Sequence, residues 1–506
     1  GGFRYNFLEN SYLDVKSGWE RNNQIGLVSS GPLIQIEGRE YGLTYGEFDI
    51  FSRLNAEYVN LIPENASRKL WRENSLVDFF ADISRDYDVD NQLDLSGRYK
   101  LLGRDFLATL TSEGLDNRSV ENRLEKRINA DFHAGFRLFG LLTNARFNLS
   151  DVTVERSFRQ NVEDVPLTGV RRKLHELQLG FTLQSKYISD VFAQSIGISV
   201  DIRNEENAIN KKFDISRDEE DRLRQRENQR DNSSSRNRLY GNTLWNLGRN
   251  DTLALNFSLS LLKYDTPSKL NFDDRDEFNS LTEIRYSHRF SNFLAASFNA
   301  SLHMNHLVFL KAERSAMNNW SRILKFNPVI YFNSGPFSMA PSFDVLANYT
   351  VYDFEDVASG ISSFSFRQVS YRDSLNYELS DKFSLESRII LKYYERGVLF
   401  WDSFAETPQN SNLEQFAKLL LITREPGEYE IGFGVRYFRL LQEKIQKLPG
   451  YADTGLQNLS YGPEAIIRIN FGDRSSVIMD GWLELQRTSG GERLVPNFFL
   501  RSEIKI

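Results

Sequence analysis

The sequence predicts an all-β fold: one integral-membrane, up-and-down antiparallel β-barrel of about 24 strands, or roughly 22 to 26, with short turns on one side and longer loops on the other. Three observations predict it. Polar and apolar residues alternate nearly from end to end. Tight polar turns recur at a regular spacing. And 13% aromatic residues coexist with a mean hydropathy of only −0.46.

The alternation is plainest at 291–310, SNFLAASFNASLHMNHLVFL, where Phe293 to Leu310 carry no formal charge. That is long enough to cross a bilayer as a helix. Yet Leu294, Ala296, Phe298, Ala300, Leu302 and Met304 are apolar, while Ser297, Asn299, Ser301, His303 and Asn305 between them are polar. A helix would smear this pattern around its surface; a strand sorts it onto two faces.

Taken in chain order, the first half is read with short turns at 30–32, 63–67, 102–103, 139–140, 187–188 and 248–250. Its outer loops are read at 17–22, 45–46, 86–88, 115–119, 161–167, 205–232 and 266–274. The second half is more regular. Turns begin at Ser291, Ser334, Ser380, Pro426 and Phe471, spaced 43, 46, 46 and 45 residues apart. Longer connections at 313–316, 355–361, 402–412, 446–455 and 489–491 separate them. An even strand number puts both chain ends on the short-turn side. Pro328 and Pro341 are equidistant from Ser334-Gly335, so they are expected to face each other across one hairpin.

Charges obey the same parity. Phe383, Leu385, Ile389, Leu391 and Tyr393 share a face; Glu386, Arg388 and Lys392 share the other. Eleven residues of strand, tilted, cover roughly 25–30 Å, the height of an apolar bilayer band. Soluble β-sandwiches turn more often than this chain does. On these features the chain resembles bacterial outer-membrane β-barrel proteins over essentially its whole length, at the level of architecture and not of one family. The resemblance implies a Gram-negative-type outer-membrane location. Such barrels commonly end in an aromatic residue; this chain closes on Ile506. No signal peptide precedes Gly1, so the chain is read as mature or as part of a longer protein.

The whole of 1–506 is read as a single barrel without a separate plug domain, and 205–232 as its longest outer loop. Absence of cysteine excludes disulfides, thiolate catalysis and thiolate-held metals. A net charge of −7 gives no basic excess for nucleic acid. No cofactor and no catalytic constellation are read. Asp86, Asp88, Asp90 and Asp94 are spaced like the first ligands of a calcium loop, but Asn91 stands where that loop needs Gly. The plain reading is an acidic outer loop.

The residues that carry chemistry are those on the polar parity: Glu283, Arg285, Glu386, Arg388, Lys392, Arg436, Arg468, Asp480 and Glu484. Their mixed signs suit a hydrated lumen with cross-strand ion pairs, or a surface touching a plug. The expected function is a transport or translocation pore or scaffold in a multi-protein envelope complex. Its expected partners are outer-membrane lipid and a protein or missing segment closing the lumen. A stand-alone diffusion porin and an outer-membrane enzyme with a rim active site are the alternatives.

Overall fold

The computed structural model describes the chain except residues 65–69, 113–114, 161–164, 214, 358–359, 426–428, 445–455, 472–474, 489 and 505–506. The described residues form one sheet of 24 strand segments. In order they are β1 (Gly2–Leu8), β2 (Ser11–Gln24), β3 (Leu27–Tyr45), β4 (Phe48–Pro63), β5 (Arg72–Asp86), β6 (Gln92–Ser112), β7 (Leu115–Leu138) and β8 (Leu141–Phe158). Next come β9 (Val170–Ile188), β10 (Phe192–Lys211), β11 (Asn232–Asn246), β12 (Asp251–Asp265), β13 (Arg275–Arg289), β14 (Leu294–Phe309), β15 (Asn319–Ser334) and β16 (Phe337–Met339). The last are β17 (Ser342–Tyr352), β18 (Phe364–Ser380), β19 (Phe383–Phe400), β20 (Ala405–Glu425), β21 (Tyr429–Lys444), β22 (Leu456–Phe471), β23 (Ser475–Thr488) and β24 (Gly491–Ile504). Every ladder is antiparallel and, β15 on β17 and β16 on β18 apart, joins chain neighbours, from β1 on β2 to β23 on β24.

The one interruption has a chemical cause. β16 and β17 both pair with β15 and with β18, so they are two pieces of a single pass, split at Ala340-Pro341. Proline brings no N–H to a ladder. The 24 segments therefore make 23 passes. Pro328 and Pro341 do not face each other: Pro341 lies across from Ile330, whose N–H it accepts at 3.0 Å. The turn is Gly335-Pro336, one residue later than the sequence suggested, and that moves the register by two.

The turns sort to two sides. One side carries the two residues Glu9-Asn10, then Gly46-Glu47, 87–91, Phe139-Gly140, 189–191, 247–250, 290–293, Gly335-Pro336 and Asp381-Lys382. The other carries Ile25-Gly26, the described residues of 159–169, 212–231 and 353–363, and 266–274, 310–318 and 401–404. Both Phe139-Gly140 and Ile25-Gly26 have positive φ at both residues, the backbone of tight hairpin turns. The expected turns at 426–428 and 472–474, the loop 446–455 and parts of 63–67, 161–167 and 489–491 lie outside the described residues.

At the described turns from residue 139 onward the sequence-based sides hold; before it several do not. Residues 17–22, 30–32, 102–103 and 115–119 lie inside β2, β3, β6 and β7. Positions 45–46 and 86–88 belong to the short-turn side, not to outer loops. The cause is strand length: β6 and β7 run 21 and 24 residues, far past a bilayer's needs. Gly31-Pro32 looked like a turn, yet β3 carries it through. Without a side chain, Gly31 lets the Asn60 carbonyl of β4 come against it, and the ladder skips there. With 23 passes, β1 and β24 both run from the loop side to the short-turn side, so the two chain ends lie on opposite sides. Among the described residues no ladder joins β1 to β24.

Opposed residues share a face, so the ladders assign faces without ambiguity. One face holds Phe298, Leu324, Phe326, Ile330, Val345, Val369, Leu391, Leu421, Phe433 and Val435, all exposed. This continuous apolar wall, with charges segregated behind it, is that of an outer-membrane β-barrel, whose strands present alternate residues to lipid. Among the described residues no helix is long and apolar enough to cross a membrane.

Strand β10 runs to Lys211, so the connection read as 205–232 is 212–231. It carries helix α1 (Arg217–Asn228), capped by Ser216, whose hydroxyl accepts the Glu219 N–H, with acids in the first turn. Leu223 of α1 packs with Val170 and Ile209, beside Leu167 and Ile215. Val170 and Ile209 lie on the polar parity of β9 and β10, with Arg172, Glu176 and Glu205. The helix thus covers the polar face of the wall at its loop end. Asn271 donates to the Gln229 carbonyl at 2.8 Å, and Lys311 donates to the Ser268 carbonyl at 3.1 Å, so successive loops brace one another.

Candidate functional site

The ladders put all nine sequence-selected residues on the face opposite the apolar wall. Glu283 pairs across from Ser301 and Arg285 from Asn299, on β13. Glu386, Arg388 and Lys392 are on β19, Arg436 on β21, Arg468 on β22, Asp480 and Glu484 on β23. Five of them, Glu386, Arg388, Arg436, Arg468 and Asp480, converge around one cavity of about 650 Å³. It reaches from Asn333 on β15 to Asp480 on β23, near the short-turn end. The other four lie elsewhere. Arg285 pairs with Glu283 at 3.1 Å. The Lys392 ammonium sits 4.8 Å over the Tyr394 ring. Glu484 accepts from the Trp482 indole N–H at 2.8 Å and from Gln486 at 2.9 Å.

The cavity wall is a lattice of ion pairs that skip strands. Arg468 grips both oxygens of Glu386, three strands away, at 2.9 and 2.8 Å, and Glu430 at 2.9 Å. Three strand spacings are about 14 Å, close to the full joint reach of the two side chains. Glu464 is fully buried between Lys418 and Arg436, whose Nε donates to it at 2.7 Å. Asp480 stands 3.7 Å from Lys418 and 3.9 Å from Arg436. The Arg436 guanidinium also lies 4.0 Å over the Trp482 ring. Buried charges persist only when paired in this way. Beside the lattice on the same face, Leu420, Ile422 and Ile466 are buried with Ile478 against them. Gly432 and Gly434 make room: a side-chain carbon at Gly432 would come 2.7 Å from Ile466, and one at Gly434 would enter the backbone of Leu419.

Lys418, Glu430 and Glu464 complete the lattice and were not singled out from the sequence. Their parity was readable. Lys418 interrupts the apolar run FAKLLLI, and Glu464 follows Pro463. What could not be read is that three intervening hairpins bring Arg468 to Glu386.

The acidic segment is a hairpin end on the short-turn side and not an outer loop. Asp86 ends β5, Asp88 and Asp90 lie in the turn, and Asp94 is within β6 across from Ser84. Their carboxylates diverge. Asp88 accepts the N–H groups of Asp90 and Asn91 at 2.8 and 2.9 Å; Asp90 takes Arg137 at 2.6 Å; Asp94 meets His133 at 3.1 Å. Among the described residues no three His, Asp or Glu side chains gather as metal ligands. A strand sends alternate residues to opposite faces, and the turn is closed by its own amides, so the four carboxylates have separate partners.

No protein-family model matches the chain, and no curated protein matches it in sequence. Solved structures are similar in outline. The FrpB iron transporter from Neisseria meningitidis (F5-1 variant) shares 11% identity at a TM-score of 0.42, over 98% of this chain and 82% of its own. The copper transporter OprC shares 9% at 0.41, over 98% and 80%. The FpvAI–pyocin S2 complex shares 9% at 0.40, over 98% and 69%. Overlap at that level bears on neither substrate nor mechanism.

Proposed function

We propose that this chain is the wall of a transport or translocation pore, or its scaffold, working in a multi-protein complex of the outer membrane. The observation that carries the reading is the segregation of charge. An apolar face exposed to lipid is backed, strand after strand, by a polar face of both signs. A mixed wall suits a hydrated lumen or a polar contact surface better than it suits a one-sign selectivity ring. Nothing in this reading requires catalysis by the chain.

Size argues for a partner. Twenty-three passes about 4.8 Å apart and tilted about 40° would enclose a section roughly 45 Å across between backbones. Helix α1 has 12 residues and covers only part of such a mouth. The remainder would be filled by a partner protein or a further segment, the mixed polar face being its contact surface. The test is conductance in a planar bilayer. We expect a large, stable conductance from the isolated barrel that drops in the complex purified from native membranes. Small, equal conductance in both would mean that the barrel closes itself and would end the partner reading. A large conductance unchanged in the complex would favour a stand-alone porin.

A further inference from the structure

We infer that the cavity at Arg388 is a binding site for small anions bearing a carboxylate or phosphate group. The inference rests on the polar face lining water, as proposed above. Arg388 on β19 lies directly across from Lys418 on β20, and Lys418 directly across from Arg436 on β21. Three cations therefore stand side by side in one lateral row. Like charges opposed across a ladder repel, so such a row needs counter-charges.

Two of the three have them. Lys418 and Arg436 share Glu464, with Asp480 behind. Arg388 does not. The nearest acid on its own face of β19, Glu386, commits both oxygens to Arg468 in a bidentate pair. Among the described residues no carboxylate lies within ion-pair distance of Arg388. Its side chain is exposed and opens on the cavity.

Part of the lining suits an oxyanion: Asn333, Ser338, Ser374 and Asn376 supply neutral amides and hydroxyls, and Ser374 sits directly across from Arg388 on β18. The two carboxylates of the lining, Glu386 and Asp480, stand against Arg468 and against Lys418 and Arg436, and Phe332 and Phe416 add apolar wall. A planar guanidinium presents a fork of N–H donors that matches carboxylate or phosphate bidentately. The fixed ion pairs around it keep Lys418 and Arg436 from collapsing onto the guest. A cavity of about 650 Å³ admits a solute of metabolite size.

The test uses the purified full-length barrel in detergent, with inorganic phosphate and succinate as labelled probes in equilibrium dialysis. Saturable binding of either probe is expected. Phosphate alone would assign phosphorylated solutes, and succinate alone carboxylates. Arg388→Gln should weaken binding at least about tenfold and Arg388→Lys by less, since lysine keeps the charge and loses the fork. Arg285→Gln, a cation elsewhere on the same face, should leave it unchanged. Saturable binding that survives Arg388→Gln, or none in the parent protein, would overturn the site. Heat-modifiable gel mobility confirms that each variant is folded. A companion Arg388→Cys variant in this cysteine-free chain separates the two layers of the argument. Failure to react with a charged, water-soluble thiol reagent would overturn the lumen reading itself. Reaction without anion binding in the parent would overturn only the site.

Discussion

Glu464 shows how one residue can hold a wall together. Its carboxylate is fully buried and is contacted by two cations from two other strands. Removing the acid leaves Lys418 and Arg436 facing each other with only Asp480, more than 3.5 Å from either. Breaking a buried pair by deleting one partner costs about 3–5 kcal/mol, chiefly because a charge is stranded. Glu464→Gln should therefore lower the urea midpoint of unfolding strongly. Converting Lys418 to Met in the same chain should recover part of the loss, because coupled residues are not additive. Equal midpoints for Glu464→Gln and the parent would mean that water, and not the lattice, solvates these charges.

At the scale of the element, a strand here is a two-faced object, and its faces are testable one at a time. Leu391 lies across from Tyr371 and Gln415 and is exposed on the apolar face. Ser301 lies across from Glu283 and Lys325 on the polar face. Leu391→Arg should cost about 2–4 kcal/mol if it meets lipid at mid-depth. Ser301→Arg should leave assembly intact, as read by heat-modifiable gel mobility. Equal damage from both would remove the lipid assignment. Strands such as β14 and β19 were legible because the period-2 pattern is a local property. Each residue's face follows from its neighbours in sequence. The long strands β6 and β7 were not legible, because their polar outer portions carry the same residues as loops, and only pairing with each other makes them strands. The segment that holds helix α1 was legible as the longest outer loop, but not its packing on Val170 and Ile209, which depends on a contact between distant residues.

For the whole molecule, the decisive number is the parity of passes. An even count returns the chain to the side where it started; 23 passes do not. The sequence suggests an even count because Gly31-Pro32 and Gly103 read as turns although both lie within strands. The pass count is therefore a sum of local decisions, and a few errors near the N-terminus inverted the sides of 45–46 and 86–88. The orientation can be measured directly, since single cysteines in this chain have no background. Ile25→Cys and Ser403→Cys lie on the loop side; Glu47→Cys and Lys382→Cys lie on the short-turn side. With the short turns facing the periplasm, a thiol reagent that cannot cross the outer membrane should label the first pair in intact cells. The second pair should react only after permeabilisation. Glu47 is the discriminating position, because the turn pattern alone placed 45–46 in an outer loop. Labelling of Glu47→Cys together with Ser403→Cys in intact cells would restore the even count and refute the 23-pass topology. Labelling of Ile25→Cys with Ser403→Cys, and of neither short-side variant, requires that the sheet cross the membrane an odd number of times and that its first and last strands run in the same direction. A direct seam between β1 and β24 would then have to be parallel, unlike every other pairing in the wall, and per residue somewhat weaker.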